Sequence, residues 1–140
     1  MMKKLFITAI AICLFSCSSD DARIGNPFLP AIGFSASINT NLPKYSNLQF
    51  PGNAVYVNSV GIRGAFVVNT GSGILAWEAS DPNHAPSNCS TMELNGIEVT
   101  CPCEDHTYNL YTGLVVEEDL QYPLLAYRTS VSGNIITISN

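Results

Sequence analysis

Short runs in which apolar and polar residues alternate cover most of the chain after residue 50, and turn residues separate them. The run from 54 to 60 is rich in Val and Tyr and follows Pro51-Gly52-Asn53. This alternation is typical of half-buried strands, and no window combines a helical period with helix caps. Strands at this spacing predict an all-β fold, a small antiparallel sandwich or barrel. The predicted strand segments are 54–60, 64–69, 74–79, 97–101, 107–110, 124–131 and 135–138.

The same pattern predicts which side chains fill the core and where the chain reverses. Ser132-Gly133-Asn134 separates the last two segments and is typical of a tight hairpin. We expect four large apolar residues of the segments to lie in the core: Phe66, Val68, Trp77 and Leu110.

The N-terminus has the pattern of an export leader. Two lysines precede an uncharged apolar run over residues 5–15, which is too short for a bilayer-spanning helix. Residues 1–16 are therefore predicted to be a signal peptide. The following Leu-Phe-Ser-Cys at 14–17 resembles the bacterial lipobox, which implies lipidation of Cys17 and attachment to the membrane through that lipid.

A polar segment separates this anchor from the predicted domain. Residues 17–32 are predicted to be a flexible tether and residues 33–140 the β domain. Ser-Ser-Asp-Asp at 18–21 resembles the acidic export tag of Bacteroidetes-type lipoproteins. We therefore expect the protein in the bacterial cell envelope, at the outer membrane, on its periplasmic or its surface face.

Composition and charge exclude several functions. The 140 residues suit one domain, and their net charge is −5. Nucleic-acid binding is excluded because phosphate neutralisation needs clustered Lys and Arg. Since the sequence contains no nucleophile elbow, phosphate loop or His-Glu-x-x-His, it predicts no enzyme.

All cysteines and histidines of the predicted β domain lie within 23 positions: His84, Cys89, Cys101, Cys103 and His106. In an exported protein, a disulfide competes with metal binding for such cysteines. Cys101 and Cys103 are too close in sequence to pair without strain. The residues therefore predict a bridge from Cys89 to either Cys101 or Cys103.

Residues 101–113, Cys-Pro-Cys-Glu-Asp-His-Thr-Tyr-Asn-Leu-Tyr-Thr-Gly, resemble the second ligand loop of Rieske iron–sulfur proteins, Cys-Pro-x-His-Gly-x-x-Phe-Asp-x-x-x-Gly. Residues 75–84 resemble the strand and first loop, and Pro123–Tyr127 with the final hairpin resemble the closing strands. The resemblance extends over about residues 45–139. It implies a Rieske-like β fold with two ligand loops at one tip and a [2Fe–2S] cluster as the family cofactor.

The departures from the Rieske pattern fall on the ligands. The positions that the resemblance makes equivalent to ligands hold Asp81, His84 (or Asn83), Cys101 and Glu104, and Asp105 replaces the motif glycine. One iron would contact Asp81 and Cys101, and the other His84 and Glu104. Carboxylates prefer hard cations, so these exchanges weaken cluster assembly.

The resemblance also implies one disulfide. Rieske proteins of respiratory complexes join their two loops by a bridge whose cysteines correspond to Cys89 and Cys103. Closing a loop of this size stabilises a small domain by about 3 kcal/mol.

Three functions follow from this pattern. The preferred hypothesis is a cluster-free or cluster-degenerate Rieske-like domain that acts as a binding or structural module, with a protein of the envelope as its partner. The first alternative is a [2Fe–2S] electron-transfer protein with mixed ligands. The second is a site for one Zn or Cu ion, formed by His84, Cys101 and His106.

Overall fold

The computed structural model describes residues 25–116 and 119–140. The predicted leader, Cys17 and the first part of the tether lie outside these residues. No helix in the described part of the chain is long and apolar enough to cross a membrane. The strands are β1 (Ser35–Asn39), β2 (Ala54–Val57), β3 (Ala65–Asn69), β4 (Ile74–Glu78), β5 (Glu93–Asn95), β6 (Glu98–Thr100), β7 (Thr107–Asn109), β8 (Ala126–Ser132) and β9 (Ile135–Ser139), with a 3-10 turn at Ser46–Gln49.

The strands form two antiparallel sheets. The large sheet has the order β1-β9-β8-β4-β3-β2, and the small sheet has the order β5-β6-β7. β3 is buried on both faces because its four apolar residues alternate between two cores. Ala65 and Val67 pack into the core of the large sheet, whereas Phe66 and Val68 pack against the small sheet. The predicted all-β fold is thereby confirmed.

The alternation located seven strands and missed two. β1 consists mostly of small polar residues, and it gains its strand conformation from pairing with β9. β5 has only three residues, too few to show a period. The hairpin at Ser132–Asn134 is confirmed, and so is the burial of Phe66, Val68 and Leu110. Trp77 packs against the same core and is partly buried, and its Nε1 donates to the carbonyl of Leu110 at 2.8 Å.

The described part of the predicted tether packs against the domain. The side chain of Leu29 is only 3% exposed. Asn26 donates from Nδ2 to the carbonyl oxygen of Pro82 at 2.7 Å, and Phe28 contacts Tyr122 edge to face. Residues 25–29 therefore lie against the domain, with Asn26 at the first of the two predicted ligand loops.

Candidate functional site

Two loops meet at one end of the small sheet, and we call them together the tip (residues 80–91 and 101–106). The first loop joins β4 to β5 and is closed by a bridge between Ser80 and Thr91. The second joins β6 to β7, where the Cys101 amide donates to the carbonyl of His106 at 2.9 Å. A disulfide between Cys89 and Cys103 links the loops, which is the pairing that the Rieske resemblance implies.

The second loop turns through a left-handed residue. Asp105 has φ of 59°, and its amide donates to the Cys101 carbonyl at 2.9 Å. Asp tolerates this conformation better than most side chains do. The loop thus keeps its turn although Asp105 replaces the motif glycine.

Asp81 is the polar centre of the tip. Its side chain is fully buried, and both carboxylate oxygens accept hydrogen bonds. Oδ1 accepts from the Asn83 amide at 2.9 Å and from the Tyr108 hydroxyl at 2.8 Å. Oδ2 accepts from Nδ1 of His106 at 2.8 Å. Because a carboxylate only accepts, Nδ1 of His106 carries a proton.

These contacts keep Asp81 ionised. Burial acts to raise the pKa of Asp81, but it is outweighed by the hydrogen bonds from the Asn83 amide and the Tyr108 hydroxyl, together with Cys101 and His106. The pKa of Asp81 therefore lies below its ordinary value. Burial, with the adjacent carboxylate, also raises the pKa of the Tyr108 hydroxyl, which stays protonated as a donor.

His84 faces Cys101 directly. Nδ1 of His84 lies 3.0 Å from the carbonyl oxygen of Ala85, which only accepts, so this nitrogen carries a proton. Nε2 of His84 faces the Cys101 thiol, whose sulfur is 3.2 Å away. Oδ2 of Asp81 is 3.5 Å from the same nitrogen.

Cys101 is the free cysteine of the described chain, and it is completely buried. Burial raises the pKa of its thiol to about 11, and the neighbouring Asp81 carboxylate contributes to the increase. At neutral pH the thiol is protonated and is a poor nucleophile toward the adjacent disulfide.

The structure brings together three of the four ligand-equivalent residues, Asp81, His84 and Cys101, with His106 beside them. Glu104 is separate from this cluster. Its side chain is 54% exposed, and it approaches the cluster only through His106, at 3.7 Å from Nε2.

Two residues, Asn83 in the tip and Tyr108 beside it in β7, have roles that the sequence did not predict. Asn83 donates from Nδ2 to the hydroxyl of Tyr108 and to the carbonyl of Tyr122, both at 2.8 Å, and its Oδ1 accepts from the Tyr122 amide. Tyr108 is fully buried and hydrogen-bonded to Asp81. A signal for Tyr108 was present, because it occupies the inward position of β7 and a buried tyrosine hydroxyl needs a partner.

The chain was compared with known proteins. No family model matches it, and neither does any curated protein. Among solved structures it is similar to the cyanobacterial plasma membrane Rieske protein PetC3 from Synechocystis PCC 6803, with 21% identity, a TM-score of 0.53 and coverage of 74% of this chain and 97% of that one.

A second similar structure is a chain from the complex of reduced oxygenase and oxidized ferredoxin in carbazole 1,9a-dioxygenase. It has 23% identity and a TM-score of 0.51, with coverage of 75% of this chain and 92% of that one. Since both identities are low, these likenesses concern the backbone. The protein therefore has a Rieske-like fold.

Proposed function

We propose that this chain is a Rieske-like domain whose tip no longer binds a [2Fe–2S] cluster and that it acts as a binding or structural module at the bacterial cell envelope. The observation that carries the proposal is the environment of Asp81, at the position of the first-loop cysteine ligand. Its buried carboxylate already accepts three hydrogen bonds within the protein, so both oxygens have partners at the position where a Rieske protein has a thiolate ligand.

The donor set does not fit a Rieske cluster. Such a cluster needs two cysteines and two histidines, one of each from each loop. Cys101 supplies a thiol, but the partner position holds Asp81, and Glu104 extends toward solvent at the position of the second histidine. Carboxylate oxygens are hard donors and are poorly matched to a sulfide-bridged iron core.

The spacing of the remaining ligands supports the same conclusion. Nε2 of His84 and Sγ of Cys101 would belong to different irons of the cluster, yet they lie in direct contact at 3.2 Å. An iron–sulfide core between them requires that the first loop move away from the second.

The proposal is tested by the cofactor content of protein purified from cells that express the full chain and assemble clusters. We expect colourless protein without stoichiometric iron or acid-labile sulfide. As a matched variant, Asp81→Cys combined with Glu104→His restores two cysteines and two histidines, and red-brown colour confined to this variant supports the proposal. Two irons and two sulfides per wild-type chain, with a Rieske-type paramagnetic resonance signal after reduction, would establish electron transfer instead.

The envelope location rests on residues 1–21. In this proposal Cys17 carries the lipid, and the net negative charge keeps the domain away from anionic headgroups. We expect Cys17→Ser to abolish palmitate labelling and partition into a detergent phase, whereas Cys13→Ser, within the predicted leader, leaves both unchanged. Equal labelling of the two variants contradicts lipidation at Cys17.

A further inference from the structure

Three potential metal ligands lie close together at the tip, and one of them is held in a disulfide. Nε2 of His84 and the sulfurs of Cys101 and Cys103 all lie within 4.8 Å of one another. The sulfur of Cys103 is bonded to Cys89, and a disulfide sulfur is not a thiolate ligand. In the oxidised protein, therefore, only His84 and Cys101 of this group are able to donate to a cation.

The orientation of His84 is that of a metal ligand. Its Nδ1 is directed at the Ala85 carbonyl at 3.0 Å, and its Nε2 faces the sulfurs. Histidines that bind metals usually donate their other ring N–H to a carbonyl or a carboxylate, which fixes the tautomer and the orientation of the ring. The ring is thus held in advance with Nε2 toward Cys101.

Breaking the disulfide releases two further ligands at the same place. Cys103 already belongs to the converging group, and Cys89, bonded to it, lies directly beside it. Together with Cys101 and His84 they make three cysteines and one histidine, one of the tetrahedral donor sets of structural zinc sites.

We propose that reduction of the Cys89–Cys103 disulfide converts the tip into a binding site for one Zn²⁺, with His84, Cys89, Cys101 and Cys103 as its ligands. A dithiol reductant is oxidised to its own disulfide as the protein disulfide becomes two thiols. Binding of Zn²⁺ then releases three protons, one from each cysteine. This inference rests on the proposed function, because a [2Fe–2S] cluster would use the same residues.

The burial of the ligands suits this order of events. Cys89 is exposed and Cys103 is half-buried, so a reductant reaches the disulfide from solvent. Cys101 is buried beneath it among apolar side chains, including Met92 and Val99. The disulfide therefore lies beside the Cys101 thiol and the His84 ring, and its opening supplies two further thiols next to them.

The test is a metal titration of the full chain carrying Cys13→Ser and Cys17→Ser, so that only the three tip cysteines remain. Zn²⁺ is added before and after reduction with a phosphine, which unlike a dithiol does not compete strongly for zinc. We expect no zinc in the oxidised protein and one equivalent after reduction. Co²⁺ in place of zinc should give tetrahedral bands and thiolate charge-transfer bands only in the reduced protein.

Two histidine variants provide a matched pair. His84→Gln removes a ligand and should weaken Co²⁺ binding by more than the roughly 10- to 100-fold loss typical of an outer-shell partner. His106→Gln alters the tip without touching the four ligands and should retain one equivalent. Near-ultraviolet circular dichroism shows whether each reduced protein is folded.

Equal zinc uptake before and after reduction overturns the proposal. So does a greater loss of Co²⁺ affinity in His106→Gln than in His84→Gln. So does reduced protein that takes up no zinc, whether it stays folded or unfolds and is not refolded by zinc. Iron and sulfide in the protein as purified report separately on the proposed function. Protein that is purified without iron and does not bind zinc after reduction contradicts this inference but leaves the proposed function standing.

Discussion

Replacement of Asp81 by asparagine tests whether its buried charge organises the tip. Asparagine keeps the shape of the side chain, and its oxygen is able to accept from the Asn83 amide and the Tyr108 hydroxyl. In the variant these two hydrogen bonds go to a neutral acceptor. The bond from Nδ1 of His106 is lost, because an amide nitrogen replaces the oxygen that accepted it. A hydrogen bond to a charged group contributes about 1.5–3 kcal/mol and a neutral one about 0.5–1.5 kcal/mol. Together these changes cost about 4–5 kcal/mol. Asparagine avoids the cost of burying a charge, which offsets part of this, so we expect a net loss of about 3 kcal/mol at pH 7.

The measurement is equilibrium unfolding in urea, followed by fluorescence of the single tryptophan. Asp119→Asn is the control, because it removes the same charge at an exposed position. Surface substitutions of this kind usually change stability by less than about 0.5 kcal/mol. Domains of this size lose about 10 °C in melting temperature for a change of 3 kcal/mol, so thermal unfolding gives a second reading.

The pH dependence of the difference identifies its cause. The pKa of Asp81 is lower in the folded protein than its ordinary value of 3.8, so the ionised carboxylate contributes stability that is fully present above about pH 4. This contribution declines as the pH falls through the folded-state pKa. The gap between wild type and Asp81→Asn should therefore be constant near neutral pH and shrink in acid. A gap that is absent at pH 7, or that does not shrink in acid, refutes the assigned role of Asp81.

Three further substitutions probe contacts that stabilise the fold. Tyr127→Phe removes a hydroxyl that donates to the buried Glu78 carboxylate and should cost about 1.5–3 kcal/mol in urea unfolding. Gly113→Ala should destabilise the protein more than Gly133→Ala in thermal unfolding. Both glycines have positive φ, but the Cβ added at Gly113 would lie 2.6 Å from the indole ring of Trp77, whereas the one added at Gly133 meets nothing within 4 Å. Cys103→Ser should cost about 3 kcal/mol by removing the disulfide, and mass spectrometry under non-reducing conditions should show one cross-link fewer. Unchanged stability in any of the three contradicts the contact concerned.

The Glu78 site shows a buried carboxylate with a structural use. Both of its oxygens accept backbone hydrogen bonds at 2.8 Å, from the amides of Ile62 and Arg63, and Tyr127 donates to one of them. Burial raises the pKa of the Tyr127 hydroxyl, and the neighbouring Glu78 adds to the effect. Asp81 is likewise buried and bonded by amide and hydroxyl donors, so carboxylates hold loops at both places in this domain.

The sequence predicted the all-β fold because burial of one strand face imposes a two-residue period that is visible without coordinates. Segments such as 65–69 and 74–78 were located closely for this reason. β1 and β5 were missed because pairing with a neighbouring strand, and not their own side chains, makes them strands. The spacing of cysteines and histidines likewise located the candidate site within one short stretch, because those residues are scarce elsewhere in the chain.

Contacts between the two loops were decided only by the tertiary structure. By sequence position, four residues correspond to Rieske ligands: Asp81, His84, Cys101 and Glu104. In the structure His84 lies against Cys101, whereas Glu104 extends into solvent. No pattern in the chain states which donors surround a carboxylate, because those of Asp81 come from residues up to 27 positions away. The residue types therefore determined which chemistry the tip is able to offer, and packing of one loop against the other decided which of those atoms meet.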